Sequence, residues 1–401
     1  MSMKRISGLE LAFSVTAPQG VISALPAFKA EITDGRLTVS VGYAGARGDS
    51  LSLNARVTCP AKVRVRLLAY RIELWVNDRL CDEEWPYGEC LVDENCRFTG
   101  DFAVSLARFY EDLPPEPGVL STFTNAAGWQ PENDVFVGDC MPYVHGGRYH
   151  VLYLKDRHHH KSKWGLGAHQ WEHISSADFA SWDVHPMAVE ITDPKEGSIC
   201  TGSWIENGGA EYLYYTVRTT DGSPAPICRS VSKDGLHFEK DSGFAFTLSP
   251  RYKGASARDP KLIRDENGLF HMLVTTSLVN EKRGCLAHLI SSDLSVWKEE
   301  DAPIYISKDG TEPECPDYIA FGGHYYLIYS LHGSAHYLYS SKPFEGWQEP
   351  KQPVIPCESV PKGAVWQNKL VFAGFSRIEG YAGKMTFRTA AAAPSGELVF
   401  D

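Results

Sequence analysis

The chain has 401 residues, with a formal net charge of −11, 43% hydrophobic residues and 12% aromatic residues. This composition excludes an intrinsically disordered protein, and the length is enough for two or three domains. The acidic balance argues against nucleic acid or an anionic membrane as the main partner, and no segment approaches the length of a membrane-spanning helix.

The cysteines and the N-terminal segment bear on the cellular compartment of the protein. The ten cysteines are scattered and form no CxxC pair, so the sequence predicts no zinc site. Residues 1–20 include basic side chains but no continuous apolar run of signal-peptide length. We therefore expect reduced thiols in a cytoplasmic protein, and association into a homo-oligomer stays open.

Residues 1–95 are predicted to form a β-sandwich. Alternating or β-branched segments are separated by Gly, Asp and Asn, and they read FKAEI, RLTVSVGYA, SLSLNARVTC and KVRVRLLAYRIELWVND. The strand–turn–strand pattern YRIELWVNDRLCDEEW resembles the β-sandwich modules attached to many carbohydrate enzymes, although any sandwich can produce it. Residues 96–130 are rich in Pro and Gly and are predicted to be a linker, in which DFAVSLARFYEDL is the best candidate for a helix.

Residues 131–401 carry an internal repeat of about fifty residues. Four segments combine small residues, often an Asp, and a closing aromatic residue, and they read SSADFASW, SVSKDGLHF, ISSDLSVW and YSSKPFEGW. Five aromatic or aliphatic strands accompany them: RYHVLYLKD, EYLYYTVRT, LFHMLVTTS, HYYLIYSLH and KLVFAGFSR. The sequence therefore predicts an all-β protein with a five-bladed β-propeller, the alternative being a sandwich with coincidental spacing.

Three acidic residues open predicted blades, namely Asp139, Asp259 and Glu314. Each is followed by a Pro within three residues, a turn that contains Gly, and an aromatic-rich strand. Because Pro fixes φ and donates no ladder hydrogen bond, it suits the start of a strand. We expect each acid to be held at the rigid rim of a propeller pocket.

Three carboxylates around one small pocket favour glycoside hydrolysis. A retaining hydrolase needs a carboxylate nucleophile and a protonated acid about 5–5.5 Å apart, and a further carboxylate can bind sugar hydroxyls. Arg258 would keep Asp259 ionised, whereas Glu314 would need a raised pKa in order to donate a proton.

These motifs resemble the five-bladed propeller hydrolases of glycoside hydrolase families 32 and 68, the β-fructofuranosidase, levanase and levansucrase group. ARDP and ECPD match the Arg-Asp-Pro and Glu-Cys-Pro motifs of that group. CTGSW is similar to its Ser-Gly-Ser stretch, and KWGLGAHQWEHISSADFASW to its Trp-Gly segment. The resemblance covers about residues 130–400, and the motifs occur in the right order.

The resemblance implies roles for the three acids. Asp139 would be the nucleophile, Asp259 the transition-state stabiliser and Glu314 the general acid/base. The predicted substrate-binding residues are Arg258, Trp164, Trp204, His169 and Ser203. The partner would be an oligosaccharide or a small glycoside, and no cofactor is implied.

Less specific readings of the acids stay open. Asp134 is the nearest rival of Asp139, and Glu312 lies two residues before Glu314. Asp317 is predicted to be structural. Cys315, beside Glu314, has no Cys–His context that would suggest thiol catalysis.

No metal site is predicted from the histidines. His158, His159 and His160 are consecutive, so their side chains point in different directions. His169 and His173 are four residues apart, but the strand-rich surroundings weaken a helical ligand pair, and we expect pocket or core histidines.

This chain departs from the usual pattern of the family in two ways. The family usually begins its propeller with Asn-Asp-Pro-Asn-Gly, where this chain reads GDCMP, and it usually carries its sandwich after the propeller. The prediction is retaining hydrolysis of a furanoside, foremost a β-fructofuranoside. The rivals are an inverting arabinofuranosidase or xylosidase similar to family 43, and a propeller that binds sugar without catalysis.

Overall fold

The computed structural model describes residues 8–44, 50–68, 71–84, 89–110, 121–122, 128–131, 135–157, 169–193, 195–378 and 381–401. Within these residues the regular structure is antiparallel β-sheet, apart from one 3-10 turn at Gly254–Ser256. No helix in this part of the chain is long and apolar enough to cross a membrane. The all-β prediction is confirmed.

Two antiparallel sheets occupy the N-terminal region. Their strands are β1 (Gly8–Val15), β2 (Gly20–Ala24), β3 (Phe28–Thr33), β4 (Arg36–Ala44), β5 (Ser50–Arg56), β6 (Ala61–Leu68), β7 (Arg71–Val76), β8 (Arg79–Glu84), β9 (Glu89–Cys90), β10 (Thr99–Gly100) and β11 (Val104–Tyr110). One sheet has the order β11-β1-β6-β7-β8, and the other has the order β10-β2-β3-β4-β5 with β9 beside β4. Alternate side chains enter one shared core, where the rings of Phe13 and Phe28 meet edge to face.

The strand–turn–strand pattern of the sequence is the hairpin of β7 and β8. Val76 pairs with Arg79, so the loop has two residues. Asn77 and Asp78 both have positive φ, at 49° and 61°, which is the backbone of a type I′ turn. The Asn-Asp dipeptide tolerates this conformation, and it therefore sets the register of the hairpin.

The helix predicted from DFAVSLARFYEDL is wrong. Val104–Tyr110 is strand β11, and it pairs with β1. Val104 and Leu106 are half-buried, whereas Ser105 and Ala107 are exposed, which is the alternation of a strand. Pairing with β1 outweighs the helix propensity of Ala, Leu and Arg. Strands β10 and β11 thus extend the N-terminal sheets beyond residue 95, where the sandwich was predicted to end.

The remaining strands form five blades. Blade I contains β13 (Val135–His145), β14 (Arg148–Arg157), β15 (Gln170–Ser176) and β16 (Ser181–Val184), with β12 (Ser121–Thr122) beside β16. Blade II contains β17 (Glu196–Asn207), β18 (Ala210–Thr219), β19 (Ile227–Ser232) and β20 (Glu239–Phe246). Blade III contains β21 (Arg258–Arg264), β22 (Phe270–Leu278), β23 (Arg283–Ser291), β24 (Lys298–Glu299) and β25 (Tyr305–Ile306). Blade IV contains β26 (Glu314–Phe321), β27 (His324–Leu331) and β28 (Ser334–Ser340), and blade V contains β29 (Ser359–Trp366), β30 (Lys369–Arg377), β31 (Gly383–Ala392) and β32 (Leu398–Phe400).

The repeated sequence pattern is a turn within the blades. Asp178, Asp234 and Asp293 each accept hydrogen bonds from the backbone amides two and three residues further along the chain. Such Asx turns reverse the chain after the third strand of a blade. The closing aromatic residue then packs into the blade, as the fully buried Trp182 does. The propeller prediction is confirmed.

The ring closes between the last blade and the first. Val137 of β13 pairs with Gly383 of β31, and Trp129 exchanges backbone hydrogen bonds with Met385. Blades I and V therefore share one sheet. The N-terminal sheets contact blade I through Lys155 of β14, whose Nζ lies 3.3 Å from Glu83 and 3.0 Å from Glu172.

Candidate active site

The innermost strands of the five blades surround a central channel and run in the same direction along it. A cavity lies at each end of this channel. Residues near the N-terminal ends of β13, β17, β21, β26 and β29 line a cavity of about 490 Å³. Residues further along the same strands line a second cavity of about 290 Å³. We name the first the acidic cavity, after Asp139, Asp259 and Glu314, and the second the rear cavity, after Lys261 and Asp317.

A β-bulge interrupts each innermost strand at the level of the acidic cavity. In each blade two inner residues face one residue of the next strand, and the inner pairs are 138–139, 200–201, 259–260, 315–316 and 360–361. Asp259, Cys315 and Val360 adopt positive φ of 59°, 49° and 48°, and each precedes a Pro. Bulges redirect side chains, and left-handed backbone is costly for a β-branched residue such as Val360. The bulges therefore turn residues of five separate strands into one cavity.

Asp139 lies at the bulge of β13. Its Oδ1 accepts a hydrogen bond of 2.9 Å from the Tyr381 hydroxyl, and its Oδ2 lies 3.4 Å from the Cys315 thiol. Burial raises the pKa of Asp139 to about 6, and the charge of Asp259 acts in the same direction. The hydrogen bonds from Tyr381 and Cys315 lower that pKa, as does His169. Asp139 is therefore mostly ionised at neutral pH, at some cost in stability.

Asp259 lies at the bulge of β21 and is almost fully buried, with 4% of its surface exposed. Its Oδ1 accepts a hydrogen bond of 2.5 Å from the Thr201 hydroxyl, and its Oδ2 accepts one of 3.0 Å from the Cys315 amide. The Nε of Arg258 lies 3.7 Å from the same Oδ2. These donors hold the Asp259 carboxylate in one orientation.

Arg258 connects the buried acid to the rim of the cavity. Its Nη2 donates to Glu314 at 2.9 Å, and its Nη1 donates to Glu312 at 2.6 Å. Burial opposes the charge of Arg258, but Asp259 and then Glu314 and Glu312 raise its pKa above the usual range. The guanidinium is therefore a permanent cation among three carboxylates.

The two neighbouring glutamates occupy different positions. The Glu314 side chain is 45% exposed and lines the acidic cavity. Glu312 is a partner of Arg258 and accepts a hydrogen bond of 2.5 Å from the Ser277 hydroxyl. Burial opposes its charge, but the hydrogen bonds from Ser277 and Arg258 lower the pKa of Glu312 overall. Glu314 is therefore better placed than Glu312 to meet a ligand.

His169 lines the same cavity. Its Nε2 lies 3.1 Å from the buried Asp156, and its backbone amide donates to the Ser198 hydroxyl at 3.0 Å. Its ring centroid is 5.4 Å from that of Tyr381. The structure thus brings His169 together with the three acids and Arg258.

Two of the predicted substrate-binding residues lie elsewhere. Ser203 and Trp204 line the rear cavity, beyond the bulge of β17. The Ser203 hydroxyl donates to the carbonyl of Pro260 at 2.9 Å and accepts from the Leu262 amide at 2.8 Å, so it joins blades II and III. Trp204 stacks on Tyr143 with ring centroids 4.5 Å apart. Trp164, the rival Asp134 and His158, His159 and His160 lie outside the described residues.

The sequence did not reveal Thr201 and Tyr381, which contact Asp259 and Asp139. Thr201 has no Pro beside it, so it lacks the pattern that marked Asp259. Tyr381 comes from blade V, and only closure of the ring brings it to Asp139. Gly138 makes room for it, because a Cβ there would lie 2.6 Å from the Tyr381 hydroxyl.

Comparison with known proteins gives one family. A family model described as the glycosyl hydrolases family 32 N-terminal domain matches residues 131–356, which is more than half of the chain. The matched range includes Asp139, Asp259 and Glu314.

Individual relatives are distant. The chain is 27% identical to sucrose-6-phosphate hydrolase of Escherichia coli over 197 residues, which is 46% of this chain and 39% of that protein. It is 27% identical to fructan 6-exohydrolase of Triticum aestivum over 213 residues, 49% of this chain and 33% of that protein. The chain thus spans between a third and two fifths of the length of these relatives.

A solved structure shows the same fold. Fructan 1-exohydrolase IIa from Cichorium intybus superposes with a TM-score of 0.58 at 18% identity, covering 69% of this chain and 60% of the other. This likeness agrees with the five-bladed propeller described above.

Proposed function

The chain belongs to glycosyl hydrolase family 32, and from this premise we propose that it hydrolyses a β-fructofuranoside with retention of configuration. One observation carries the proposal. The bulges place Asp139, Asp259 and Glu314 around one cavity, where Cys315 contacts the first two and Arg258 the last two.

Asp139 is proposed as the nucleophile. Its carboxylate attacks the anomeric carbon of the sugar, and an ester forms while the bond to the leaving group breaks. The Tyr381 hydroxyl orients this carboxylate at 2.9 Å. Since the pKa of Asp139 is about 6, the nucleophile is available at neutral pH but not in acid.

Glu314 is proposed as the general acid and then the general base. It donates a proton to the departing oxygen in the first step, and in the second it accepts a proton from the water that cleaves the ester. The sum of the steps consumes one water molecule and restores both carboxyl groups. A sugar bound across the cavity would contact the Glu314 side chain, which is 45% exposed.

Asp259 is proposed to bind sugar hydroxyls next to the reacting carbon. Its position is fixed by Thr201 and by the Cys315 amide. Hydrogen bonds from sugar hydroxyls to this carboxylate strengthen as positive charge develops on the ring.

The substrate class rests on the relatives. Sucrose-6-phosphate hydrolase and fructan 6-exohydrolase both act, by name, on substrates that contain fructofuranosyl units. We therefore propose a small fructoside or a fructan end. The chain differs from the family after Asp139, where it reads Cys-Met-Pro, so subsite preferences beyond the fructosyl ring are expected to differ.

The proposal also covers the cellular location of the protein and the class of its partners. All ten cysteines are free thiols, which supports the cytoplasm. The net charge of −11 supports a ligand other than nucleic acid. Association into a homo-oligomer stays a prediction.

The first experiment follows product stereochemistry by NMR. The wild-type chain is incubated with sucrose, a fructan oligomer, an aryl β-fructofuranoside, an α-L-arabinofuranoside and a β-xyloside. β-Fructofuranose as the first product supports retention on a fructoside. An inverted product from a pentoside would contradict the proposal and favour a mechanism like that of family 43.

Variants separate the two catalytic roles. Asp139→Asn is expected to be inactive on all fructosides. Glu314→Gln is expected to lose turnover of sucrose but to keep the first step on an aryl fructoside, whose leaving group needs no proton. Glu312→Gln is the matched control, because Glu312 contacts Arg258 but does not line the cavity. Binding of fructosides without turnover in any of these proteins would indicate a non-catalytic propeller instead.

A further inference from the structure

A cluster of three histidines lies in blade I, away from the acidic cavity. His150 belongs to β14, His173 to β15, and His185 directly follows β16. In the described part of the chain, this is the only group of three or more His, Cys, Asp or Glu side chains whose ligand atoms lie within 4.8 Å of one another. The proposed hydrolysis does not use it.

Strand register explains how the three rings meet. His150 is opposite Ser175, and His173 is opposite Leu152, so the two histidines are diagonal neighbours on one face of the sheet. The His185 amide donates to the carbonyl of His173, which places the third ring beside the second. Ring centroids of His173 and His185 are 4.5 Å apart, and those of His150 and His173 are 5.3 Å apart.

The distance between two of the ring nitrogens is close to the distance between ligand atoms in a metal site. His150 Nδ1 and His173 Nε2 lie 3.0 Å apart. Two nitrogens bound tetrahedrally to Zn²⁺ at 2.0–2.1 Å would be about 3.3 Å apart. A shift of a few tenths of an ångström would therefore accommodate an ion in place of this hydrogen bond.

Neighbouring hydroxyl groups orient the rings. The Ser175 hydroxyl lies 2.8 Å from His185 Nε2, and the Tyr143 hydroxyl lies 3.0 Å from His173 Nε2. His173 Nδ1 is fully buried and has no hydrogen-bond partner among the described residues, so the protein leaves this polar cluster incompletely satisfied.

We propose that His150, His173 and His185 bind one divalent transition-metal ion of the zinc class. Imidazole ligands favour Zn²⁺, Cu²⁺ and Ni²⁺ over Mg²⁺ or Ca²⁺. The ion would join β14, β15 and the segment after β16. Since Lys155 of β14 contacts the N-terminal sheets, the ion would stiffen the blade that supports them.

The test is titration of the full-length chain, freed of metal by a chelator, with Zn²⁺ by calorimetry and with Co²⁺ by visible absorption. One ion per chain is expected, with the absorption of a tetrahedral Co²⁺–imidazole complex and a higher melting temperature with Zn²⁺. His185→Gln removes a half-buried ligand with little risk to folding, and it should weaken binding at least about tenfold. His150→Gln should do the same.

Two control variants make the test specific. His271 and His288 form a similar stacked pair, with nitrogens 2.9 Å apart, but have no third imidazole in the described residues. His288→Gln should therefore leave metal binding unchanged. A chain with His158, His159 and His160 replaced by Ala should also bind normally. Binding that survives His185→Gln, binding lost only in the triple variant, or no binding to the wild-type chain would each overturn the proposal.

Discussion

The two ends of the propeller channel use charge in different ways. In the rear cavity, Lys261 Nζ lies 2.6 Å from Asp317, and Asp317 also accepts a hydrogen bond of 2.8 Å from the Gly363 amide. Lys362 donates to the carbonyl of Gly202 at 3.2 Å. These contacts join residues of blades II, III, IV and V, so the rear cavity ties the blades together.

In the acidic cavity the charges are not balanced in this way. Asp139 is held where burial raises its pKa, and Glu314 is 45% exposed with one ion pair. Backbone with positive φ is also concentrated there, at Asp259, Cys315 and Val360. Functional sites commonly combine strain and unfavourable charge, because the remainder of the fold stabilises them. Under the proposed function, the same five strands supply reactivity at one end and stability at the other.

The largest expected effect separates Asp139 from Asp317. Asp139→Asn should reduce kcat by about 10⁴-fold or more, because it removes the proposed nucleophile. Asp317→Asn should leave kcat per folded molecule within about threefold, but it should lower the free energy of unfolding by about 3 kcal/mol, since it leaves Lys261 without its buried partner. Sucrose hydrolysis and urea unfolding of both variants measure this. A large loss of kcat in Asp317→Asn with normal stability would contradict the comparison.

The second effect concerns stability and pH. The pKa of Asp139 is about 6 in the folded state against an ordinary value of 3.8. Folding therefore favours the protonated carboxyl group, and this stabilisation is lost as the pH rises from 3.8 through about 6. The difference corresponds to about 3 kcal/mol. We therefore compare the free energy of unfolding of Asp139→Asn with that of wild type at two pH values. The variant's advantage should be up to about 3 kcal/mol larger at pH 7.5 than at pH 3.5. Urea unfolding at the two pH values tests this, and a pH-independent difference would contradict it.

The third effect compares two hydroxyls of β17. Thr201→Val removes the 2.5 Å hydrogen bond to Asp259, and it should lower kcat/KM by about tenfold or more, since hydrogen bonds to charged groups are strong. Ser203→Ala should lower the free energy of unfolding by about 1–3 kcal/mol, because it leaves polar backbone atoms of Pro260 and Leu262 without a partner. Its kcat/KM should change by less than about threefold. Equal losses of kcat/KM in both variants would contradict the division of roles between the acidic cavity and the rear cavity.

A comparison of Asp259 and Glu314 with Thr201 and Ser203 shows where the sequence was sufficient and where it was not. The repeat and the aromatic strands predicted the five blades, since each blade buries its own faces with a local pattern. Asp259 and Glu314 could be placed because a Pro marks the bulge, at Pro260 and Pro316. At Cys200 and Thr201 the same bulge has no Pro, so the sequence does not mark the register after it, and Ser203, predicted to bind substrate, lines the rear cavity.

Contacts between distant blades could not be predicted. Tyr381 reaches Asp139 across the joint between blades V and I, 242 residues away along the chain. The strand β11 depends on pairing with β1 in the same way. The sequence did not suggest that burial raises the pKa of Asp139, because desolvation depends on packing that no local pattern records.

The smallest expected effect concerns Tyr381. Its hydroxyl lowers the pKa of Asp139, so Tyr381→Phe should raise that pKa and move the acid limb of kcat/KM to higher pH. The loss should be about two- to fivefold at pH 6 and close to none at pH 8, where Asp139 is ionised in both proteins. A purely structural role would instead lower kcat/KM equally at all pH values. Gly138→Ala offers an independent check, because its added Cβ would displace the Tyr381 hydroxyl while leaving both functional groups in the chain, and it should shift the same limb in the same direction.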